Sequence, residues 1–118
     1  MRTILAAAVA LMLSSGPVVA AEVTGNVLLE KCREFEKLEA GRPNARQVSA
    51  GYCQGFINGV WITQPFIDNS FRSCAPAGAR LGQVVGIVTK FLKENPTQLH
   101  KSALVVVQAA LAIAWPCN

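Results

Sequence analysis

Residues 46–64 read RQVSAGYCQGFINGVWITQ. Tyr52, Cys53, Phe56, Ile57, Val60 and Trp61 recur at three- and four-residue intervals. That is the period of one broad helix side, not of a strand. Gly51, Gly55 and Gly59 fall four apart and form a second stripe on the same helix. Pro65 stops or kinks the helix, because the residue before a proline is pushed out of the α region. A helix with so wide an apolar side needs other helices to cover it.

Three more segments show the helical period. Upstream, 26–38 places Leu28, Cys32 and Phe35 on one stripe. Glu30 with Arg33, and Glu34 with Lys37, then read as charge pairs on its wet face. Gly41-Arg42-Pro43-Asn44 turns the chain between these two helices. Downstream, 81–94 aligns Leu81, Val84, Val85, Val88, Phe91 and Leu92, and Asn95-Pro96 breaks it. The last helix begins at 99 or 102 and runs to 115. Between Ala103 and Trp115 its only polar residue is Gln108. Val105-Val106-Val107 would suit a strand, but the alanines at 103, 109, 110, 112 and 114 favour a helix. The expected architecture is all-α, a small up-down bundle of four helices.

The cysteines staple it. Cys32 and Cys53 lie about equally far from the turn at 41–44, so they sit at one height on facing helices. In an up-down bundle the second and fourth helices end at the same pole. Cys74 follows the second and Cys117 the fourth. The expected bridges are Cys32–Cys53 and Cys74–Cys117. Closed loops of these sizes contribute roughly 3–4 kcal/mol each in the chain-entropy account.

Disulfides imply a compartment outside the reducing cytosol, and the first 21 residues agree. Arg2, an apolar run over 4–13, a break at Ser14-Ser15-Gly16-Pro17, and Val18-Val19-Ala20-Ala21 read as a cleaved signal peptide. The apolar run is about half the ~20 residues a membrane span needs. Residues 22–118 are then one small domain, not held in a membrane after cleavage. The chain has 11 basic and seven acidic side chains, net +4. There is no Lys/Arg run and no aromatic-basic interleaving, which speaks against nucleic acid.

Several elements together resemble a known family. Cys53-Gln54-Gly55-Phe56-Ile57-Asn58-Gly59 is similar to a C-x-G-(Y/F)-I-x-G element. Cys74-Ala75-Pro76-Ala77-Gly78 with Gly82-Gln83, Lys90 through Pro96, and the alanine-rich helix closing on Trp115-Pro116-Cys117 follow in the family's order. They resemble the Tai family, the immunity proteins for type VI secretion amidase effectors, also called the Rap immunity domain. The resemblance implies a periplasmic, helical, disulfide-bonded protein, usually dimeric. It would bind a peptidoglycan amidase, a cysteine hydrolase, and plug its cleft without catalysis of its own.

The residues themselves argue against an enzyme. All four cysteines have expected partners, His100 is the only histidine and Asp68 the only aspartate. That leaves no catalytic set, no zinc spacing and no cofactor motif. Function concentrates in loops held by a scaffold. Two connections qualify: 94–101 with Asn95, Gln98 and His100, which is preferred, and 64–73 with Asp68, Asn69 and Arg72. The stripe Gly51, Gly55, Gly59 reads either as close packing inside the chain or as a homodimer contact. The alternative to an immunity protein is a housekeeping periplasmic helper, chaperone-like or for envelope stress, with no toxin partner.

Overall fold

The computed structural model describes residues 21–118 together with Gly16. The expected signal segment therefore lies almost wholly outside the described residues. Four α-helices follow in order: α1 (Gly25–Glu39), α2 (Gln47–Ile62), α3 (Leu81–Glu94) and α4 (Ala103–Ala114). Single 3-10 turns stand at Gln64–Phe66, Asn69–Phe71 and Pro96–Gln98. No strand occurs among the described residues; Thr24 with Ser102 and Ser73 with Pro116 form isolated bridges. The all-α, four-helix expectation holds. The second helix ends two residues sooner than its apolar pattern suggested, because Pro65 recruits Gln64 into a tighter turn.

Local chemistry sets the helix ends. α1 closes on Gly41, whose φ of 70° lies in the left-handed region that glycine adopts without a Cβ penalty. Gly41 N–H donates to the Leu38 carbonyl and Arg42 N–H to the Lys37 carbonyl, both at 3.0 Å. These two bonds satisfy carbonyls that the helix leaves open. At the start of α3, Gln83 Oε1 accepts from Arg80 N–H at 2.9 Å.

All four helices feed one core. Leu28, Ile57, Val84, Val88, Leu92, Val107 and Leu111 are fully buried. Both expected disulfides form, each with Cα atoms 5.0 Å apart. They differ in setting: Cys32 and Cys53 are fully buried, whereas Cys74 and Cys117 are exposed.

Glu34 corrects the reading of α1. It was expected on the wet face and is buried. The start of α2 folds over it: Arg46 N–H donates to Oε2 at 2.9 Å, and Lys37 Nζ donates to Oε1 at 2.8 Å. The carboxylate sits at the positive end of the α2 dipole and ties the two helices together. The expected Glu30–Arg33 pair gives way, since Glu30 lies 3.6 Å from Lys31 and 3.4 Å from Arg46. The Lys37 hydrogen bond first, and the Arg46 N–H second, pull the Glu34 pKa from the usual 4.5 to about 2. A depressed carboxyl stabilises the fold above its unfolded pKa, and that stabilisation is lost as pH falls towards the folded value. Glu34→Gln is therefore expected to weaken the fold near neutrality and to flatten its loss of stability between about pH 5 and pH 2. Urea unfolding of both proteins across that range checks this; parallel curves would refute it.

Candidate functional site

The 94–101 connection is stitched to the beginning of α1. Asn26 N–H donates to the Leu99 carbonyl and Gly25 N–H to the Lys101 carbonyl, both at 2.9 Å. Ala103 N–H donates to the Val23 carbonyl at 2.7 Å. Gly25 makes this approach possible, because a Cβ there would come within 3.1 Å of the Leu99 backbone. Sequence reasoning missed Gly25; a glycine directly after Thr24, at a helix start, was the available signal.

The three residues expected to mark this loop are presented differently. Asn95 Nδ2 donates to the Phe91 carbonyl at 2.8 Å, so its amide group is occupied in capping α3. Gln98 is half-buried and His100 is exposed. Of the three, His100 is the open side chain at the loop surface.

The 64–73 connection is anchored by a different device. Gln64 is buried, and its Oε1 accepts from Ser73 N–H at 2.9 Å and Ser73 Oγ at 3.0 Å. Its Nε2 donates to the Val60 carbonyl at 3.2 Å. Cys74 N–H donates to the Trp115 carbonyl at 2.8 Å, beside the Cys74–Cys117 bridge. Within the loop, Asp68 Oδ1 accepts from Ser70 N–H at 2.9 Å. Arg72 is half-buried, and the side chain of Asn69 lies outside the described residues. Asp68 is exposed, and the large apolar side chains open beside it are Phe66, 87% exposed, and Phe71, 58% exposed. The candidate residues do not form one patch. One loop joins the residues that open α4, the other those that follow its end, and a helix of 12 residues spans about 18 Å.

The glycine stripe does not pack against the rest of the chain. Nothing lies within 4 Å of where a Cβ would stand at Gly51, Gly55 or Gly59. Close packing inside the chain is therefore not their role. They share an outward face with Val48, Tyr52 and Ile62, all exposed. No charged residue occurs in α2. Tyr52 stacks on Phe56 with ring centroids 6.2 Å apart.

All four cysteines are bridged. Among the described residues, no group of three His, Cys, Asp or Glu side chains could hold a metal ion. No described helix is long and apolar enough to cross a membrane. What this structure offers a partner is two anchored loops and uncharged helix faces.

No curated protein and no solved structure matches the chain. A family model does, the one described as Rap1a immunity proteins, across residues 24–117. The matched span takes in all four helices, both bridges and both loops, and by that match the chain belongs to the Rap1a immunity protein family.

Proposed function

We propose that this protein acts in the periplasm, binds a type VI secretion peptidoglycan amidase and occludes its active-site cleft. Membership of the immunity family supports the effector partner. The observation that carries the occlusion is the stitching of residues 95–102 onto α1. A loop already ordered before binding loses less entropy when it enters a cleft. His100 is the open group at its surface with the half-buried Gln98 beside it, and Lys101 N–H holds the turn through the Gln98 carbonyl at 3.0 Å.

The test is co-expression with the matching cysteine amidase effector, directed to the periplasm. The wild-type protein is expected to prevent lysis, and Gln98→Ala with His100→Ala to lose protection through at least a roughly tenfold weaker complex, about 1.4 kcal/mol. Asn95 is left in place because its amide caps α3. Lysis despite the wild-type protein would reject the immunity role. Full protection by the double variant would move the contact to 64–73, where Phe66→Ala and Phe71→Ala are the matching changes.

The self-association reading concerns α2. A glycine inside a helix costs roughly 0.5–1 kcal/mol relative to alanine. Three such positions with nothing near them inside the chain carry that cost without an internal return. A two-fold contact sets this face against its own copy, and the absence of charge in α2 avoids like-charge repulsion there. Gly51→Ala, Gly55→Ala and Gly59→Ala are expected to act in opposite directions on two measurements. Each stabilises the monomer by about 0.5–1 kcal/mol through helix propensity, and together they weaken the dimer. Thermal melts of dilute protein and sedimentation at micromolar concentration read the two effects. A wild-type protein that stays monomeric would reject the dimer.

A further inference from the structure

A concavity of about 420 Å³ opens where α1, its closing turn and the end of α3 meet, lined by Arg33, Glu36, Lys37, Arg42 and Lys93. Two of its four cations are neutralised within the chain. Lys93 Nζ donates to both oxygens of Glu36 at 2.6 Å. Lys37 is held by Glu34 at 2.8 Å. The other two are Arg33 and Arg42, both exposed, and neither guanidinium pairs with a described residue. The concavity thus holds two uncompensated guanidinium groups.

Its walls are braced. The turn at Gly41 fixes the backbone of Arg42, and the Lys93–Glu36 pair ties α3 to α1. A guanidinium presents a planar fork of donors that fits a carboxylate through two parallel hydrogen bonds. A second concavity of about 430 Å³ shares the Glu36 wall and continues along Phe35, Gly82, Val85 and Gly86. Its acidic members are Glu36, already held by Lys93, and Glu39. A cationic cup joined to an apolar trough suits a carboxylate carried next to an apolar side chain. That is a feature of a protein surface rather than of a free anion. Lys93 stands two residues before Asn95, so one wall of the cup is the end of α3 that leads into the 94–101 loop.

We infer that this cup receives an acidic segment of the amidase while the 94–101 loop enters the cleft. The inference rests on the immunity reading. Charges at the margin of an interface act mainly on association, through steering, and their effect is screened by salt. Arg33 and Arg42 make no side-chain contact that the fold needs, so their neutral variants keep the wild-type melting temperature.

The experiment measures association and dissociation of the mature protein with the matching amidase effector, its active cysteine replaced, over a range of salt. Arg33→Gln with Arg42→Gln is expected to slow association roughly tenfold at low salt, to flatten its salt dependence and to change dissociation little. Association equal to wild type at every salt concentration would overturn the inference and leave the immunity role standing. Failure of the wild-type protein to bind the amidase would overturn both. A fluorescent hexaglutamate peptide serves as a second probe. It is expected to bind the wild-type protein at low salt and not the double variant; equal binding to the two would also overturn the inference.

Discussion

Replacing Cys32 and Cys53 with alanine is expected to lower the unfolding free energy by about 4–5 kcal/mol. The bridge closes a sequence separation of 21 residues, which in the chain-entropy account stabilises by about 3 kcal/mol. The rest comes from packing, because both sulfurs are fully buried between α1 and α2. Cys74–Cys117 closes a longer separation of 43 residues, worth about 4 kcal/mol by the same account. Its cysteines are exposed, so its removal adds little packing loss. A domain of this size has only about 5–15 kcal/mol of net stability. The N-terminal bridge is therefore the one whose loss brings the protein closest to unfolding. Urea unfolding of the two double variants compares them directly. A loss below about 2 kcal/mol for Cys32→Ala with Cys53→Ala would show that the α1–α2 contact holds without its staple.

The second large effect is expected at Ile57, one turn beyond Cys53 and fully buried. Ile57→Ala removes buried methyl groups and leaves a cavity that α1 and α3 only partly close. The expected cost is about 2–5 kcal/mol. Val48 lies on the same helix and is 89% exposed. Val48→Ala is expected to change stability by no more than about 0.5 kcal/mol. Two apolar truncations on one helix thus separate its core side from its open side. Equal losses at the two positions would mean that the Val48 side is covered in solution, as it would be in a strongly associated pair.

Much of the fold could be read from periodicity and symmetry. The stripe of Leu28 and Cys32, and the run from Val84 to Leu92, mark faces that the core buries. The pairing of Cys32 with Cys53 followed from their equal distance to one turn. Glu34 was misread because its burial depends on where the chain returns after that turn. Charge pairing within α1 contains no sign of Arg46 arriving from outside. Gly25 escaped notice for a related reason: its need is imposed by Leu99, far away in sequence. At the glycine stripe, spacing marked the positions and left open what lay opposite them. In 64–73 the polar residues drew attention, while Asp68 shares the open surface with Phe66 and Phe71. Asn95 was named as a surface group from its residue type, and its place at the end of α3 turned its amide inward.

The order of the two bridges bears on how the chain matures. Each cysteine is joined to its nearest unpaired neighbour along the chain, first Cys32 to Cys53, then Cys74 to Cys117. Neither covalent loop encloses an end of the other. Suppose the chain is threaded across a membrane from its N-terminus and an oxidase joins thiols as they emerge. The native bridges are then the first ones it can make. Cys53 reaches the oxidising side while Cys74 is still 21 residues behind. Maturation on this route needs no isomerase to reshuffle wrong pairs, a step that takes minutes to hours without catalysis.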